Sequence, residues 1–302
     1  MRLITWNVNS IRARLPRVRE LLDTHRPDVV CVQETKVADG TFPHAALAEH
    51  GYRAIAASEG RWNGVALLVP EGVSTDEVVT QLPGAPDPTE ARWVEAVVDG
   101  VRVASVYVPN GRDRDHPMFA SKLRFLEAMH DHLDGVAGRA AASAETEATT
   151  GTARSAGNRA STGTARPAET ARSAGTAASA PMVVAGDVNI APEDRDVWDV
   201  AQAGLTTHIT EEERERLAAL LALGFVDAFR AVEPEEEGFT WWDYRMGAFR
   251  RGWGMRIDLA MVGAGLTVTG CGVDTTFRRV NAAGDKPSDH APLIVDLERT
   301  AG

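Results

Sequence analysis

Cysteine is scarce: the 302 residues hold two, Cys31 and Cys271. Two thiols cannot build a disulfide framework, and their separation excludes CxxC zinc or redox motifs. Cys31 stands within Val29-Val30-Cys31-Val32, where a buried, inert thiol is expected. No run of about 18 apolar residues occurs, so no membrane span is expected. The opening Met1-Arg2-Leu3-Ile4-Thr5-Trp6-Asn7 lacks the apolar stretch and cleavage site of a signal peptide, and a cytoplasmic location is expected. Four signatures of other enzyme classes are missing as well: a GxxxxGK-S/T loop, GxGxxG after a strand, HExxH and a GxSxG elbow. Basic charge is also short. The net charge is −11, which on its face argues against a nucleic-acid partner. Much of the acid is clustered, however, in Glu211-Glu212-Glu213 and in Glu233 with Glu235-Glu236-Glu237. A small basic face remains compatible with such a total, at the cost of modest, salt-sensitive affinity for DNA.

The chain does carry an ordinary globular composition, 44% apolar and 25% charged. Short apolar runs recur and read as buried strands: Leu3–Trp6, Asp28–Gln33, Val65–Val69, Trp93–Val98, Val101–Val108, Met182–Ala185, Ile257–Val262 and Leu293–Leu297. Helical faces fall between some of them. Leu15, Val18, Leu21 and Leu22 make one; Phe119, Leu123, Leu126 and Met129 to Leu133 make another. A third runs from Glu211 to Leu223, opened by a Thr210-x-x-Glu213 capping box and closed at Gly224. Mixed strands and helices over this length predict layers of sheet and helix around one core. One stretch stands apart. Between Ala137 and Ala180 no Val, Leu, Ile, Met or aromatic residue occurs, and Gly151-Thr-Ala-Arg154 returns as Gly163-Thr-Ala-Arg166. Such a segment buries too little apolar surface to offset its ordering entropy. Residues 1–135 and 181–302 are therefore expected to form a single domain, split by a disordered insertion at 136–180.

The informative feature is what stands at the ends of the apolar runs. Leu3-Ile4-Thr5-Trp6 ends at Asn7, Val29 to Gln33 at Glu34, and Val101 to Val108 in Tyr107-Val108-Pro109-Asn110-Gly111. Met182 to Ala185 ends at Gly186-Asp187-Val188-Asn189. Asp258 follows Arg256-Ile257, and Ser288-Asp289-His290 precedes Ala291-Pro292-Leu293. Taken singly, Glu34 is a solvated strand-end carboxylate, Asp187 a turn cap and His290 a satisfied core histidine. Charges beside buried runs are costly unless paired or metal-bound, and six such cases in one arrangement can converge along one sheet edge. Oxygen donors with a single imidazole suit Mg²⁺ or Mn²⁺, whereas zinc would want more Cys or His.

These motifs resemble, in order, those of the exonuclease III family of abasic-site endonucleases, within the wider endonuclease/exonuclease/phosphatase superfamily. The resemblance rests on Ile4-Thr5-Trp6-Asn7-Val8-Asn9-Ser10-Ile11-Arg12-Ala13, Val32-Gln33-Glu34-Thr35-Lys36, Asn63-Gly64-Val65-Ala66 and Tyr107-Val108-Pro109-Asn110-Gly111. It continues through Gly186-Asp187-Val188-Asn189-Ile190-Ala191-Pro192, Trp242-Asp243-Tyr244-Arg245 and Arg256-Ile257-Asp258, and closes on Lys286-Pro287-Ser288-Asp289-His290-Ala291-Pro292. It spans the chain apart from the insertion. The implied fold is an α/β, four-layer αββα sandwich of two packed, mostly antiparallel sheets flanked by helices. The implied activity is Mg²⁺-dependent hydrolysis of the DNA backbone 5′ to abasic sites, with 3′-5′ exonuclease and 3′-phosphatase activity. The implied partner is double-stranded DNA with abasic sites or blocked 3′ ends, met by a monomer.

The resemblance also implies roles. Glu34, with Asn7 and Asp289, would hold the metal, and Asp187, Asn189 and His290 complete the residues around it. Asp187, with Asn189, would orient or deprotonate the attacking water. His290, held by Asp258, would donate to a phosphate oxygen, and Tyr107 would meet the phosphate or the leaving group. Asn110 would support the site. Trp241, Met255 and Ile257 would shape a pocket for a flipped-out abasic sugar. Arg112, Arg114, Arg245, Arg250 and Arg251 admit two readings, phosphate contacts or solvated surface arginines. Trp242 is expected in the core. Two other readings share these residues: a superfamily phosphoesterase acting on a small-molecule or lipid phosphoester, and a non-catalytic DNA-binding relative. The Lys286-to-His290 block and the Trp-Trp-Asp-Tyr loop favour the DNA-repair branch over the first. Intact Glu34, Asp187, Asp258, Asp289 and His290 argue against the second.

Overall fold

The computed structural model of the protein describes residues 1–38, 40–154 and 180–300, with the backbone alone at 139–154. In chain order the elements begin with β1 (Arg2–Asn7), α1 (Leu15–His25), β2 (Val29–Gln33), α2 (His44–Ala48), β3 (Tyr52–Ala57), β4 (Val65–Pro70) and β5 (Thr75–Val79). Next come β6 (Trp93–Val98), β7 (Val101–Tyr107), α3 (Pro117–Arg154), β8 (Met182–Asp187), α4 (Val200–Ala203), α5 (Glu211–Ala222), β9 (Val226–Asp227) and α6 (Ala228–Val232). The chain continues through β10 (Trp241–Trp242), α7 (Ala248–Arg251), β11 (Gly254–Met255), β12 (Asp258–Val262), β13 (Leu266–Val273) and β14 (Leu293–Arg299).

Two six-stranded sheets carry the fold, ordered β13-β14-β1-β2-β4-β3 and β5-β6-β7-β8-β12-β9. Each contains one parallel pair, β1/β2 and β7/β8, and every other pairing is antiparallel. Both parallel pairs are joined through a helix, α1 and α3 respectively, because a parallel connection has to cross back over the sheet. This is the four-layer sandwich that the motif order implies.

Strand periodicity assigns every side chain to a layer. In β1, β2, β8 and β12, alternate residues Leu3, Val29, Cys31, Val183, Ala185, Ala260 and Val262 face the layer between the two sheets. Their neighbours Ile4, Trp6, Val30 and Val32 turn outward against Val18, Leu21 and Leu22 of α1 and Leu47 of α2. On the second sheet, Ala104, Val106, Val184, Leu259 and Met261 turn outward against Leu126, Met129 and Leu133 of α3 and Leu217 and Leu220 of α5. Each fully buried Val, Leu or Ile is worth about 1.5–3 kcal/mol. The inner layer turns polar towards one end. Gln33 donates to Thr5 Oγ1 at 3.1 Å and to Ser105 Oγ at 3.0 Å, joining the two sheets across the gap. One further step along the same inner faces lie Asn7, Tyr107, Asp187 and Asp258, so the period-two pattern that builds the core also delivers the polar group to its end.

The eight strands read from the sequence are all present. Six strands were not anticipated: β3, β5, β9 and β13, which are the edge strands of the two large sheets, and the short separate pair β10 and β11. Helix α5 opens on the expected reciprocal Thr210/Glu213 capping box. The backbone of α3 runs on past Val136 to Arg154, which suits the alanine-rich sequence once packing of the first turns has nucleated a helix. The rest of the segment read as a disordered insertion, residues 155–179, lies outside the described residues. No helix among the described residues is long and apolar enough to cross a membrane.

Gly186 shows how tightly this end is built. A Cβ there would stand 1.9 Å from the backbone oxygen of Val106 on the paired strand β7. Gly186→Ala is expected to force β7 and β8 apart and cost about 1–3 kcal/mol. Calorimetry checks this: an unchanged Tm would contradict the close approach of β7 to Gly186.

Candidate active site

Five strand ends and three loops bring the polar residues together. Asn7 sits at the C-terminus of β1, buried, and its Nδ2 donates to Glu34 Oε1 at 2.8 Å and to Asp187 Oδ2 at 2.9 Å. One amide thus ties a carboxylate of the first sheet to a carboxylate of the second. Glu34 follows β2 with φ +52, and Lys36 has φ +50. Left-handed backbone at residues with a Cβ costs of order 1–3 kcal/mol each and needs surrounding support. Here Thr35 and Lys36 donate to the carbonyls of Gly64 and Asn63, both at 3.0 Å. The Glu34 carbonyl accepts from Ser10 N at 2.7 Å. Gly64 has to be glycine, since a Cβ would meet Thr35 Oγ1 at 2.1 Å.

The carboxylates are not equivalent. Burial pushes Glu34 up, but Lys36 at 2.6 Å and the Asn7 amide more than offset it and hold the carboxyl below its ordinary range. Asp289 is likewise held low: burial is outweighed by nearby His290, by Asn9 Nδ2 at 3.0 Å and by Trp241 Nε1 at 3.2 Å. Asp187 is raised to about 7 by burial, with Asp258 and Glu34 beside it acting against the pull of His290 and Asn7. Its Oδ1 accepts from Asn189 N at 3.0 Å, and Asn189 itself has φ +52.

Asp258 opens β12 directly opposite Asp187 in the strand register. Its Oδ2 accepts from His290 Nδ1 at 2.8 Å, while His290 Nε2 stands 3.8 Å from Asp187 Oδ2, too far for a hydrogen bond. Burial disfavours the imidazolium, but Asp258, Asp187 and Asp289 overcome that and raise His290 to about 10. The result is a cation with its second N–H directed away from Asp258. Tyr107 ends β7. Burial, with Glu34 and Asp187 nearby, raises its phenol well above 10, so it remains a donor.

The donor set fits a divalent cation. Glu34, Asp187, Asp258 and Asp289 bring four carboxylates, and Lys36 and His290 offset two of them. Asp187, Asp258 and His290 lie with their carboxylate oxygens and ring nitrogen within 4.8 Å of one another, so two carboxylates share a short stretch of space with one imidazole. Among the described residues, Asp258 Oδ1 is buried without a hydrogen-bond partner. Hard oxygen donors with surplus negative charge suit Mg²⁺ or Mn²⁺.

The remaining expected residues separate. Asn110 Nδ2 donates to Asn189 Oδ1 at 3.2 Å and so belongs to the site. Arg112 is exposed at the rim with φ +62. Arg114 is paired with Glu212, and Arg245 with Asp243 at 3.1 Å, so neither stands as an unengaged cation. Trp241 and Met255 line a cavity of about 500 Å³ together with Trp198, Trp253, Leu205 and Met246. The Trp198 and Trp253 rings stack at 4.8 Å. Since Trp241 also bonds Asp289, this cavity opens beside the carboxylates. Ile257 lies beneath it, 3% exposed, packed with Met255, Ala191 and Val197 instead of lining the wall. Trp242 is buried with Phe239 and Ala248, as expected. Sequence reasoning left out Lys36 and Asn9, which hold Glu34 and Asp289, and the whole group formed by Lys122, His208 and Glu213 behind Asn189.

The two raised groups act on stability in the same direction. His290 titrates above its unfolded value of 6.5, so its contribution is complete below that pH and is lost as pH rises through about 10. Asp187 holds its proton to about 7 against 3.8 unfolded, so its contribution is also lost as pH rises, between those values. Glu34 and Asp289, held low, act oppositely, but only under acid conditions. In EDTA, Tm is therefore expected to fall from about pH 5 to pH 9. A cation favours ionised Asp187, so the Mg²⁺-induced rise in Tm should widen as pH climbs from about 5 through about 7 and level off above that. A rise that stays constant with pH would contradict this account.

Comparison with known proteins places this geometry. The model of the Endonuclease/Exonuclease/phosphatase family matches residues 4–290. The chain is 27% identical to the exodeoxyribonuclease III of Haemophilus influenzae, over 99% of this chain and 100% of that protein. It is 26% identical to an exodeoxyribonuclease of Bacillus subtilis, over 98% and 100%. Among solved structures, the 3′ phosphatase NExo from Neisseria, bound to a product DNA hairpin, superposes with a TM-score of 0.79 at 30% identity, over 99% of both chains. An AP endonuclease from Archaeoglobus fulgidus gives 0.78 at 29%, over 98% of both.

Proposed function

Because this chain belongs to the endonuclease/exonuclease/phosphatase family, we propose that it is a DNA-repair nuclease: a Mg²⁺-dependent phosphodiesterase that cuts the DNA backbone on the 5′ side of abasic sites and trims blocked 3′ ends. One observation carries the reading. Glu34, Asp187, Asp289 and the Asp258–His290 pair meet at one end of the inter-sheet layer, beside an apolar cavity walled by Trp198, Trp241, Trp253 and Met255. The relatives' names, exodeoxyribonuclease III, 3′ phosphatase and AP endonuclease, support the same chemistry.

Glu34, Asn7 and Asp289 would hold the metal, with Asp187 and Asn189 at its border. When bound, the ion supplies Lewis-acid neutralisation of phosphate charge. The rest falls to the chain. Asp187 accepts a proton from the attacking water, and its position is fixed by Asn7 and by the backbone N–H of Asn189. Its raised pKa places it near neutrality, where a general base works best. His290 Nε2–H donates to a phosphoryl oxygen as negative charge builds there, with Asp258 fixing the ring and sustaining the cation. Tyr107 presents a protonated phenol to the phosphate or the leaving oxygen. The tryptophan-lined cavity accepts a sugar turned out of the duplex and keeps water from it.

The test is incision of a synthetic abasic-site duplex with Mg²⁺ and with EDTA, run beside 3′-phosphate ends and small phosphomonoesters. Abasic incision that stops in EDTA is expected. Turnover of the small esters with the duplex left intact would move the enzyme to another branch of the family.

A further inference from the structure

Behind the Asp187–Asn189 turn lies a cation that none of the steps above uses. Lys122 of α3 and Glu213 of α5 form an ion pair with both side chains 0% exposed. Lys122 Nζ also donates to the backbone carbonyl of Asn189 at 2.6 Å. His208 Nδ1 donates to that same carbonyl, again at 2.6 Å. Glu213 Oε1 accepts from Thr207 Oγ1 at 2.7 Å and from His208 N at 2.9 Å, so the carboxylate holds both the lysine and the loop that carries the histidine. Asn189 is then fastened forward: its N–H reaches Asp187 Oδ1 at 3.0 Å and its Nδ2 reaches the Val108 carbonyl at 3.0 Å.

This arrangement is poorly explained by stability. A buried lysine–glutamate pair pays desolvation on both charges, and an apolar pair of similar volume is often as stable or more so. What the charges do supply is a cationic donor, Lys122, on the Asn189 carbonyl and, through Glu213, a fixed place for the second donor, His208, at a residue whose left-handed backbone needs outside support. We propose that Lys122 and Glu213 are a positioning pair. Through the Asn189 carbonyl they fix the turn that aims Asp187 at the attacking water. The inference rests on the role proposed above for Asp187.

The test removes both charges at once, because Lys122→Met alone would leave Glu213 buried and unpaired. Lys122→Met with Glu213→Gln keeps the volume and the capping capacity of position 213. The double variant is expected to melt within a few degrees of the wild type and to keep its KM for abasic duplex. Its kcat is expected to fall by about 10- to 100-fold, the usual loss when a supporting partner goes. A folded double variant with wild-type kcat overturns the inference, as does a loss of kcat matched by an equal loss of stability. If it does not fold, Lys122→Gln with Glu213→Gln takes its place, and failure of both neutral pairs would make the charges structural and overturn the proposal. A crystal structure of the folded variant reads the same point without turnover. Displacement of the Asn189 carbonyl is expected, and an unmoved Asp187–Asn189 turn counts against positioning. Should the wild type itself cut no duplex, the proposed function fails while the structural readout still decides this one.

Discussion

Replacing His290 by alanine is expected to lower kcat for backbone cleavage by about 10²- to 10⁴-fold, the range for a positioned proton donor, with DNA affinity held within a few-fold. The reason lies in where the ring's two nitrogens go. Nδ1 is spent on Asp258 at 2.8 Å, and among the described residues Nε2 has no partner within bonding distance. A cation raised to about 10 by three carboxylates keeps its proton throughout the neutral range. It therefore contributes where charge appears during reaction and adds little in the ground state, which is the pattern of lost kcat at preserved affinity. Asp258→Asn separates orientation from charge. The asparagine retains the shape but no longer sustains the imidazolium, and the same exchange in a Ser-His-Asp site costs about 10⁴ in kcat. His290→Ala also strands a buried carboxylate whose Oδ1 already lacks a partner, a loss on the order of 3–5 kcal/mol. Rates must accordingly be taken well below the variant's Tm. Incision near the wild-type rate in a folded His290→Ala protein would refute the assigned role.

The parts of the fold that sequence reveals are those buried on both flanks. β1, β2, β4, β6, β7, β8, β12 and β14 lie inside their sheets, where both faces need apolar residues and the run shows as a block. β3, β5 and β13 have water on one flank. β5 carries Asp76 and Glu77, and β13 alternates Thr267 and Thr269 with apolar neighbours before Gly270 and Gly272. Charge, threonine and glycine blunt an edge against pairing with another chain, and in doing so erase the signal by which a strand is recognised.

The site divides in a similar way. Asn7, Glu34, Tyr107, Asp187 and Asp258 were legible because each ends or opens an apolar run, and strand ends meet. Lys122 and Glu213 come from two helices whose contact depends on packing. A signal did exist for both. Lys122 falls on the stripe of Phe119, Leu126, Met129 and Leu133, and Glu213 on the stripe of Leu217 and Leu220, so each puts a charge where its helix faces the core. A charge on an apolar stripe has to find its opposite there. Ile257 is a different case: two residues on from Met255 it lies on the same face of the chain, but it is packed with Met255, Ala191 and Val197 beneath the cavity wall while Met255 lines that wall.

Glu34→Gln is expected to weaken Mg²⁺ binding by at least about tenfold and to lower activity at about 1 mM Mg²⁺ by at least about 10²-fold, on the scale of losing one ligand charge at a hard-cation site. Glutamine keeps the length of the side chain and one oxygen, so the bond from Asn7 Nδ2 can survive. What disappears is one of four carboxylate charges and the partner of Lys36 at 2.6 Å. Lys36 then remains as an uncompensated cation beside the proposed metal position and repels the ion as well as failing to balance it. Glu34→Gln/Lys36→Met should therefore recover part of the metal affinity lost by the single variant. A ligand that acts only by binding metal is also rescued by more metal. Activity of Glu34→Gln should climb as Mg²⁺ is raised towards saturation, whereas His290→Ala should stay low at every concentration. Titration calorimetry gives the affinity and initial rates give the rescue. Unaltered Mg²⁺ affinity in the glutamine variant would place the ion elsewhere, among Asp187, Asp258 and Asp289, and would leave the left-handed backbone at Glu34 as support for Lys36 alone.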